Sequence, residues 1–327
     1  MKKVLFATTA LIATAGMAAA EVSMSGYGRF GLDYNSANER VVGRSKTNIT
    51  SRLRLQFDMT AETDAGVAFN ARYRAQAESR DGVAGTGAFN GARFGVSYNG
   101  VTVNVGNIIG AVENAPGLYA TGTRSAGTGI DGMGFHQIAI KTNGGTVFNW
   151  DAYSSAGAGS NGIEVLYSAG GFTGHVSYSQ RNGGTVAGSA GGEDRTGVMA
   201  TYSFGDYYVT AAMQSSSVPL NDITFAAAGG NFGAFGAKLA YGSTDQVDSF
   251  TLEGNMDIGA ASNVLVWVNS ADAPGSVSTV KGDGGVDGTS FGINYQYDLG
   301  GGATVVAGYV DEADDDNQFQ AGVYFSF

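Results

Sequence analysis

Two runs decide the fold: Ile49-Thr50-Ser51-Arg52-Leu53-Arg54-Leu55-Gln56-Phe57-Asp58-Met59-Thr60-Ala61 and Val67-Ala68-Phe69-Asn70-Ala71-Arg72-Tyr73-Arg74-Ala75-Gln76-Ala77-Glu78. Every second residue of the first (Ile49, Ser51, Leu53, Leu55, Phe57, Met59, Ala61) forms a largely apolar row, and the residues between them are polar. After the polar turn 62–66 the second run repeats the arrangement, with Val67, Phe69, Ala71, Tyr73 and Ala75 on the apolar row. A strand sends successive side chains to opposite faces, so alternation sustained over more than ten residues reads as strand rather than helix. The turn length pairs Ala61 with Val67, a register that sets Arg54 directly across from Arg74 with Arg52 and Arg72 as diagonal neighbours. Like charges placed opposite each other destabilise a sheet. Folding alone gives no reason for such a row, whereas a water-filled passage lined with positive charge does.

The rest of the chain extends this pattern. At the N-terminus, Lys2 and Lys3 precede an apolar run from Val4 to Met17, and Ala18-Ala19-Ala20 supplies small residues for cleavage. Residues 1–20 therefore read as a secretory signal peptide, leaving 21–327 as the mature domain. Without the two leader lysines the chain has 16 basic against 29 acidic residues, which argues against nucleic acid as a partner. Cysteine is absent, so the fold stands without disulfides. No mature stretch has the 18 consecutive apolar residues that a transmembrane helix would need. Strands of 11 to 13 residues are long for a globular sandwich. A strand tilted across a bilayer needs about 9–11 residues.

In chain order, alternation recurs from Val22 to Tyr34, from Ala92 to Val105 around the hairpin signal Asn99-Gly100, and from Ile163 to the terminal Phe327. Short turns at 62–66, 99–100, 170–171, 205–206, 229–230, 259–262 and 300–302 interleave with longer polar loops at 35–48, 80–87, 181–195, 271–287 and 311–316. That is the layout of an all-β, antiparallel transmembrane β-barrel with short periplasmic turns and long extracellular loops. Only closure leaves no unpaired strand edge in lipid. The literal count is 18 strands, or 16 if residues 135–153 belong to a loop rather than to a hairpin around Asn143-Gly144-Gly145. Alternation fails for much of 107–160, a region too apolar and Gly-rich for a well-solvated outer loop. Tyr34, Tyr98, Tyr202, Phe204, Tyr207, Tyr241, Phe250, Tyr297, Tyr309 and Phe327 cluster near strand ends, as interfacial girdles do.

Glu21-Val22-Ser23-Met24-Ser25-Gly26-Tyr27-Gly28-Arg29, Ser51-Arg52-Leu53-Arg54 and Thr63-Asp64-Ala65-Gly66-Val67-Ala68-Phe69 resemble the alphaproteobacterial general diffusion porins. So do Tyr167-Ser168-Ala169-Gly170-Gly171-Phe172, Tyr295-Gln296-Tyr297-Asp298-Leu299-Gly300-Gly301-Gly302-Ala303 and the ending Tyr324-Phe325-Ser326-Phe327. The resemblance covers essentially the whole mature chain and is weakest at 107–160 and in the outer loops. It implies a 16-stranded homotrimeric barrel in the outer membrane, whose third loop folds into the lumen and faces a basic wall with its acidic residues. Arg29, Arg52, Arg54, Arg72 and Arg74 fall on the matching wall strands, and Glu113 and Asp131 on the matching loop. The loop carries fewer acids than the resemblance would lead one to expect.

A ring of charge in a narrow aqueous passage sets which solutes cross, and low-dielectric walls focus its field. The inward arginines therefore read as pore-lining, against the plainer reading of structural pairs in a barrel wall. Glu113 and Asp131 read as constriction acids, against turn caps; Asn107 and Arg124 divide evenly between such roles. Asp311, Glu312, Asp314, Asp315 and Asp316 read as a solvated loop, with loosely bound calcium that bridges to lipopolysaccharide as the minor alternative. Gly26-x-Gly28-x-x-Gly31 has dinucleotide-binding spacing but sits within a strand, where the helix that motif requires is missing. His136 and His175 are the two histidines, far apart and without cysteine or a nucleophile elbow, so neither zinc nor hydrolysis is indicated. The expected function is non-enzymatic passive diffusion of small hydrophilic solutes and ions. The alternatives are a solute-selective channel with a specific binding site, a non-conducting structural or adhesive barrel, and an outer-membrane hydrolase.

Overall fold

In the computed structural model, β2 (Thr47–Glu62) and β3 (Ala68–Arg80) form the expected hairpin in a register two residues from the expected one. Ala61 pairs with Phe69, not Val67, because Val67 is spent in the turn. Its carbonyl accepts from Thr63 N at 2.9 Å and its amide donates to Thr63 Oγ1 at 3.1 Å, around Gly66 at φ +79°. A shift of two keeps every side chain on its own face. It does, however, replace the Arg54–Arg74 opposition with complementary pairs. Arg52 faces Glu78, Arg54 faces Gln76, Gln56 faces Arg74, and Asp58 faces Arg72. Direct opposition of like charge occurs instead at the neighbouring seams, where Arg29 faces Arg52 and Arg72 faces Arg93.

The structure describes residues 20–327 except 81–82, 86, 121–136, 143–148, 156, 181–191, 246 and 274–285. β1 (Glu21–Asn35) pairs with β2, and β3 continues through the two-residue pieces β4 (Val83–Ala84) and β5 (Ala88–Phe89) to β6 (Arg93–Tyr98) and β7 (Val101–Asn107). An antiparallel meander follows: β8 (Asn161–Ala169), β9 (Phe172–Gln180), β10 (Asp194–Phe204), β11 (Tyr207–Ser216), β12 (Ile223–Phe232) and β13 (Phe235–Thr244). It ends with β14 (Asp248–Ile258), β15 (Ser262–Asp272), β16 (Gly288–Gly300), β17 (Ala303–Asp311) and β18 (Asn317–Ser326). β18 pairs with β1, closing the ring, and Gly26 and Phe327 exchange backbone hydrogen bonds at 2.9 and 3.1 Å across the seam. The wall thus has 16 full strands. The two extra strands are the pieces β4 and β5, not a hairpin at 135–153, where the described residues 137–142 and 149–153 hold no strand. The turn expected at 229–230 lies at 233–234, since β12 runs on to Phe232. Gly229 is needed there for clearance: a Cβ on it would meet the Tyr208 hydroxyl at 2.8 Å.

The faces are sorted as the alternation requires. Ile49, Leu53, Phe69, Val165, Tyr202, Leu239, Phe250 and Phe291 stand exposed on the outside, while Thr50, Arg52, Gln76, Asn104, Thr210 and Asn294 are buried inside. Tyr202, Phe204, Tyr207 and Phe232 form a chain of ring contacts at the short-turn end, and Tyr241 with Phe250 and Phe291 with Tyr309 mark the other. β12 reverses the rule. Ile223, Phe225 and Ala227 point inward and are buried, because the loop between β7 and β8 lies on them.

Candidate functional site: the lumen wall and the inward loop

The wall formed by β1, β2, β3 and β6 carries the basic residues. Arg52 Nε donates to Glu78 Oε2 at 2.6 Å, Arg72 Nε to Asp58 Oδ1 at 2.5 Å, and Arg93 lies 3.6 Å from Glu164. Arg54 and Arg74 have amides instead: Arg54 Nε donates to Gln76 Oε1 and Arg74 Nε to Gln56 Oε1, both at 2.9 Å. Their guanidinium carbons lie over rings, Arg54 5.0 Å from the centre of Tyr27 and Arg74 4.6 Å from that of Tyr153. Arg29 is fully buried opposite Arg52 and Tyr324. All five expected arginines therefore share the inner face, joined by Arg93, which lies on the polar row of its strand and faces Arg72.

The described residues of the loop between β7 and β8 (108–120, 137–142, 149–155 and 157–160) reach across the lumen and are fixed at both legs. At its root, Glu164 on β8 accepts from Asn104 Nδ2 at 2.8 Å and from the backbone amides of Ile109 and Gly110 at 3.0 and 2.9 Å. His175 Nε2 lies 3.2 Å from the same carboxylate, and Ser177 Oγ accepts from Ala111 N at 3.0 Å. Farther across, Lys238, ion-paired with Glu253 at 2.8 Å, donates to the Tyr119 carbonyl at 2.9 Å. Gln137 donates to Asn294 at 2.6 Å and Ser249 to the Ala139 carbonyl at 2.5 Å. The returning leg docks on the basic wall, where Tyr153 OH donates to the Arg72 carbonyl at 3.0 Å and Asn90 Nδ2 to that of Ser154 at 2.6 Å. Beneath the loop, Val112, Leu118, Ile138, Ile140 and Trp150 pack on Met199, Ala212, Phe225 and Ala240 of the wall. Apolar burial of this kind holds a segment that alternation alone would leave in water.

Glu113 is in this loop, but it is gripped by it. Its carboxylate accepts from Tyr119 OH at 2.7 and 2.9 Å and from Trp150 Nε1 at 2.7 Å. Burial pushes its pKa up to about 7, the two donors and the field of Arg74 opposing that rise. Lys141, beside the Trp267 ring at 6.0 Å, is brought down to about 8 by burial. Asn107 clamps the loop root, donating to the Gly91 carbonyl at 3.0 Å and Ser154 Oγ at 3.1 Å. Asp131, Arg124 and His136 lie outside the described residues. At the long-loop end, Asp316 pairs with Arg40 and accepts from Ser36 at 2.9 Å, Asp311 accepts from Tyr309 at 3.3 Å, Asp314 accepts from Asp316 N at 3.1 Å, and Asp315 is exposed. Among the described residues no three His, Asp or Glu side chains converge as a metal site.

Sequence reasoning missed Glu164, His175, Lys238, Glu253 and Tyr153. Each inward strand position carrying one looked like any other polar residue of an alternating run, and Tyr153 fell in the region without periodicity. The signal that was present is the isolated full charge at Lys238 and Glu253 on adjacent strands, directly opposite each other.

The sequence model of the Gram-negative porin family matches residues 7–318. The porin of Fuscovulum blasticum is 32% identical over 316 residues, covering 94% of this chain and 100% of that one. The porin of Rhodobacter capsulatus is 28% identical over 331 residues, with the same coverage. Two engineered variants of Rh. blastica porin superpose with TM-scores of 0.75 and 0.74 at 30% and 31% identity, each match covering 94% of this chain and all of the other. A closed barrel with grease outside, guanidinium groups inside and a loop laid across its lumen agrees with these matches, and the chain belongs to the Gram-negative porins.

Proposed function

We propose that this outer-membrane channel, which passes small hydrophilic solutes passively, screens them by charge at Arg54 and Arg74. The observation that supports this reading is the difference in partners along one wall. Arg52, Arg72 and Arg93 each have a carboxylate, whereas the partners of Arg54 and Arg74 are amide oxygens and rings. Their charge is therefore left to act on ions in transit, in a lumen whose low-dielectric walls focus the field. Arg29, Arg52 and Arg72 contribute to the same positive face, and Glu113 adds an opposing charge when ionised.

In this reading the mature chain begins at Glu21, where β1 starts, and the leader 1–20 is removed after Ala20. The apolar belt meets outer-membrane lipid, with lipopolysaccharide at the long-loop end, and three copies assemble as a homotrimer whose conductance steps arrive in threes. The chain acts as a channel and not as an enzyme. The charge reading is tested by the double variant Arg54→Ala with Arg74→Ala in planar bilayers under a salt gradient. Conductance rises and the reversal potential moves toward cation preference; an unchanged reversal potential removes both residues from selectivity.

A further inference from the structure

Arg54 and Arg74 have a second property in common. Each guanidinium is fixed on one face by a tyrosine ring and along its Nε edge by a glutamine oxygen. Both backing rings are themselves held. Tyr27 stacks on Tyr324 with centroids 4.9 Å apart and planes at 19°, and Tyr153 is tied through its hydroxyl to β3 and carries Arg93 at 5.2 Å as well. Among the described residues, the Nη atoms of Arg54 and Arg74 donate to no protein acceptor. Both side chains are half-buried on the inner face, so these open edges border the aqueous lumen. Since Arg54 faces Gln76 and Arg74 faces Gln56, the two arginines are diagonal neighbours across the β2–β3 seam. Diagonal neighbours lie about 7–8 Å apart, close enough for two long side chains to reach one small ligand.

We propose that Arg54 and Arg74 together form a binding subsite for the phosphoryl group of small phosphate monoesters and of inorganic phosphate. This rests on the reading of the two residues as uncompensated lumen charges. An arginine fork takes two oxygens of an oxyanion in parallel hydrogen bonds. A carboxylate has two oxygens and is used up by one fork. A phosphoryl group has three terminal oxygens and a charge near −2 above its second pKa of about 6, so it serves both forks and balances both charges. Ring and amide hold each fork in place beforehand, which lowers the ordering cost of binding. The aqueous setting keeps affinity low, as transit requires: a solute must bind well enough to enter and weakly enough to leave.

The experiment is chloride current through the refolded mature protein in planar bilayers at about 0.1 M salt, where the Debye length is near 10 Å. Glycerol phosphate at pH 8 lowers the current saturably at millimolar concentration, inorganic phosphate does the same, lactate needs at least tenfold more, and glycerol has no effect. Arg54→Gln with Arg74→Gln abolishes the block. Arg54→Lys with Arg74→Lys keeps the charge but not the forks, so the reversal potential stays while the block weakens tenfold or more. Tyr153→Phe keeps the backing ring but loses its tie to β3, so it weakens the block less than Tyr153→Leu, which removes the ring. Equal potency of lactate and glycerol phosphate overturns the subsite, as does a block that survives the lysine pair intact. If the glutamine pair shifts the reversal potential but the native channel shows no saturable block, the subsite falls and the charge reading stands. If the reversal potential does not move either, both fall.

Discussion

Replacing Glu164 by Gln releases the root of the inward loop while leaving the barrel closed. The native carboxylate serves Asn104 through one oxygen and the amides of Ile109 and Gly110 through the other, with His175 and Arg93 at 3.2 and 3.6 Å. A glutamine supplies one oxygen. If it accepts from the two backbone amides, its NH2 group faces Asn104, which must turn its own oxygen inward, and Arg93 loses its anion. Hydrogen bonds to a charged group contribute about 1.5–3 kcal/mol each, and neutral ones about 0.5–1.5. Reducing two bonds from the first kind to the second and removing the Arg93 attraction therefore costs roughly 3 kcal/mol, on the order of a hundredfold in the opening equilibrium. Hydrogen exchange read by mass spectrometry on peptides spanning 108–115 detects this directly. Protection there falls about a hundredfold, while peptides from β14 to β17 keep theirs. Unchanged protection at 108–115 refutes the assignment of Glu164 as the anchor, and a uniform loss around the barrel shows that it supports the wall rather than the loop.

Glu113 links the loop to pH. Its folded pKa, about 7, lies above the ordinary carboxyl value of 4.5, so the neutral form is the one the fold favours. Its stabilising contribution is full below pH 4.5 and is lost as pH rises through about 7. Exchange protection of the loop, corrected for intrinsic rates, is accordingly higher at pH 5 than at pH 8, and Glu113→Gln flattens the difference. Ionisation also places a negative charge in the field of Arg74, so anion preference falls across the same interval in the native channel and stays level in the variant, read as reversal potential against pH. Phe225→Ala removes a fully buried ring from under the loop, and such truncations cost about 3–5 kcal/mol. Denaturant unfolding of the barrel measures the global share of this loss, and increased open-channel noise reports the part that frees the loop.

The barrel was legible because lipid imposes a simple rule on the wall: apolar outside, anything polar inside, with period two. Phe291–Leu299 and the terminal strand state that rule plainly, Ile49–Ala61 does so with Ser51 as its one polar outward residue, and the structure follows it. Where one face of a strand meets something other than lipid or water, the rule carries less information. Ile223, Phe225 and Ala227 read like an outward row, yet they face the loop, because an inner wall covered by protein can be as apolar as an outer one. The loop itself was recognisable as inward from its composition, but its fastenings were not. Glu164, His175 and Lys238 meet partners 50 to 120 residues away or on a neighbouring strand, and no local pattern encodes such contacts. Glu113 shows the same limit from the other side. Its residue type matched a constriction acid, while its two donors, Tyr119 and Trp150, decide what it does.

The two-residue error in the β2–β3 register separates two determinants that sequence reasoning tends to merge. Hydrophobic alternation fixes only the parity of a pairing, since a slip of two leaves every side chain on its own face. The absolute register came from the turn, where Thr63 binds Val67 twice and takes it out of the ladder. Cross-strand charge then favours the same answer, because the parity-equivalent alternative would set Arg54 against Arg74 and leave Glu78 without Arg52 opposite it. The consequence reaches the lumen. Pairing Arg52 with Glu78 and Arg72 with Asp58 neutralises the outer two members of the row and leaves Arg54 and Arg74 beside glutamines. A turn of five residues at the periplasmic rim thereby decides at which depth of the channel uncompensated positive charge appears.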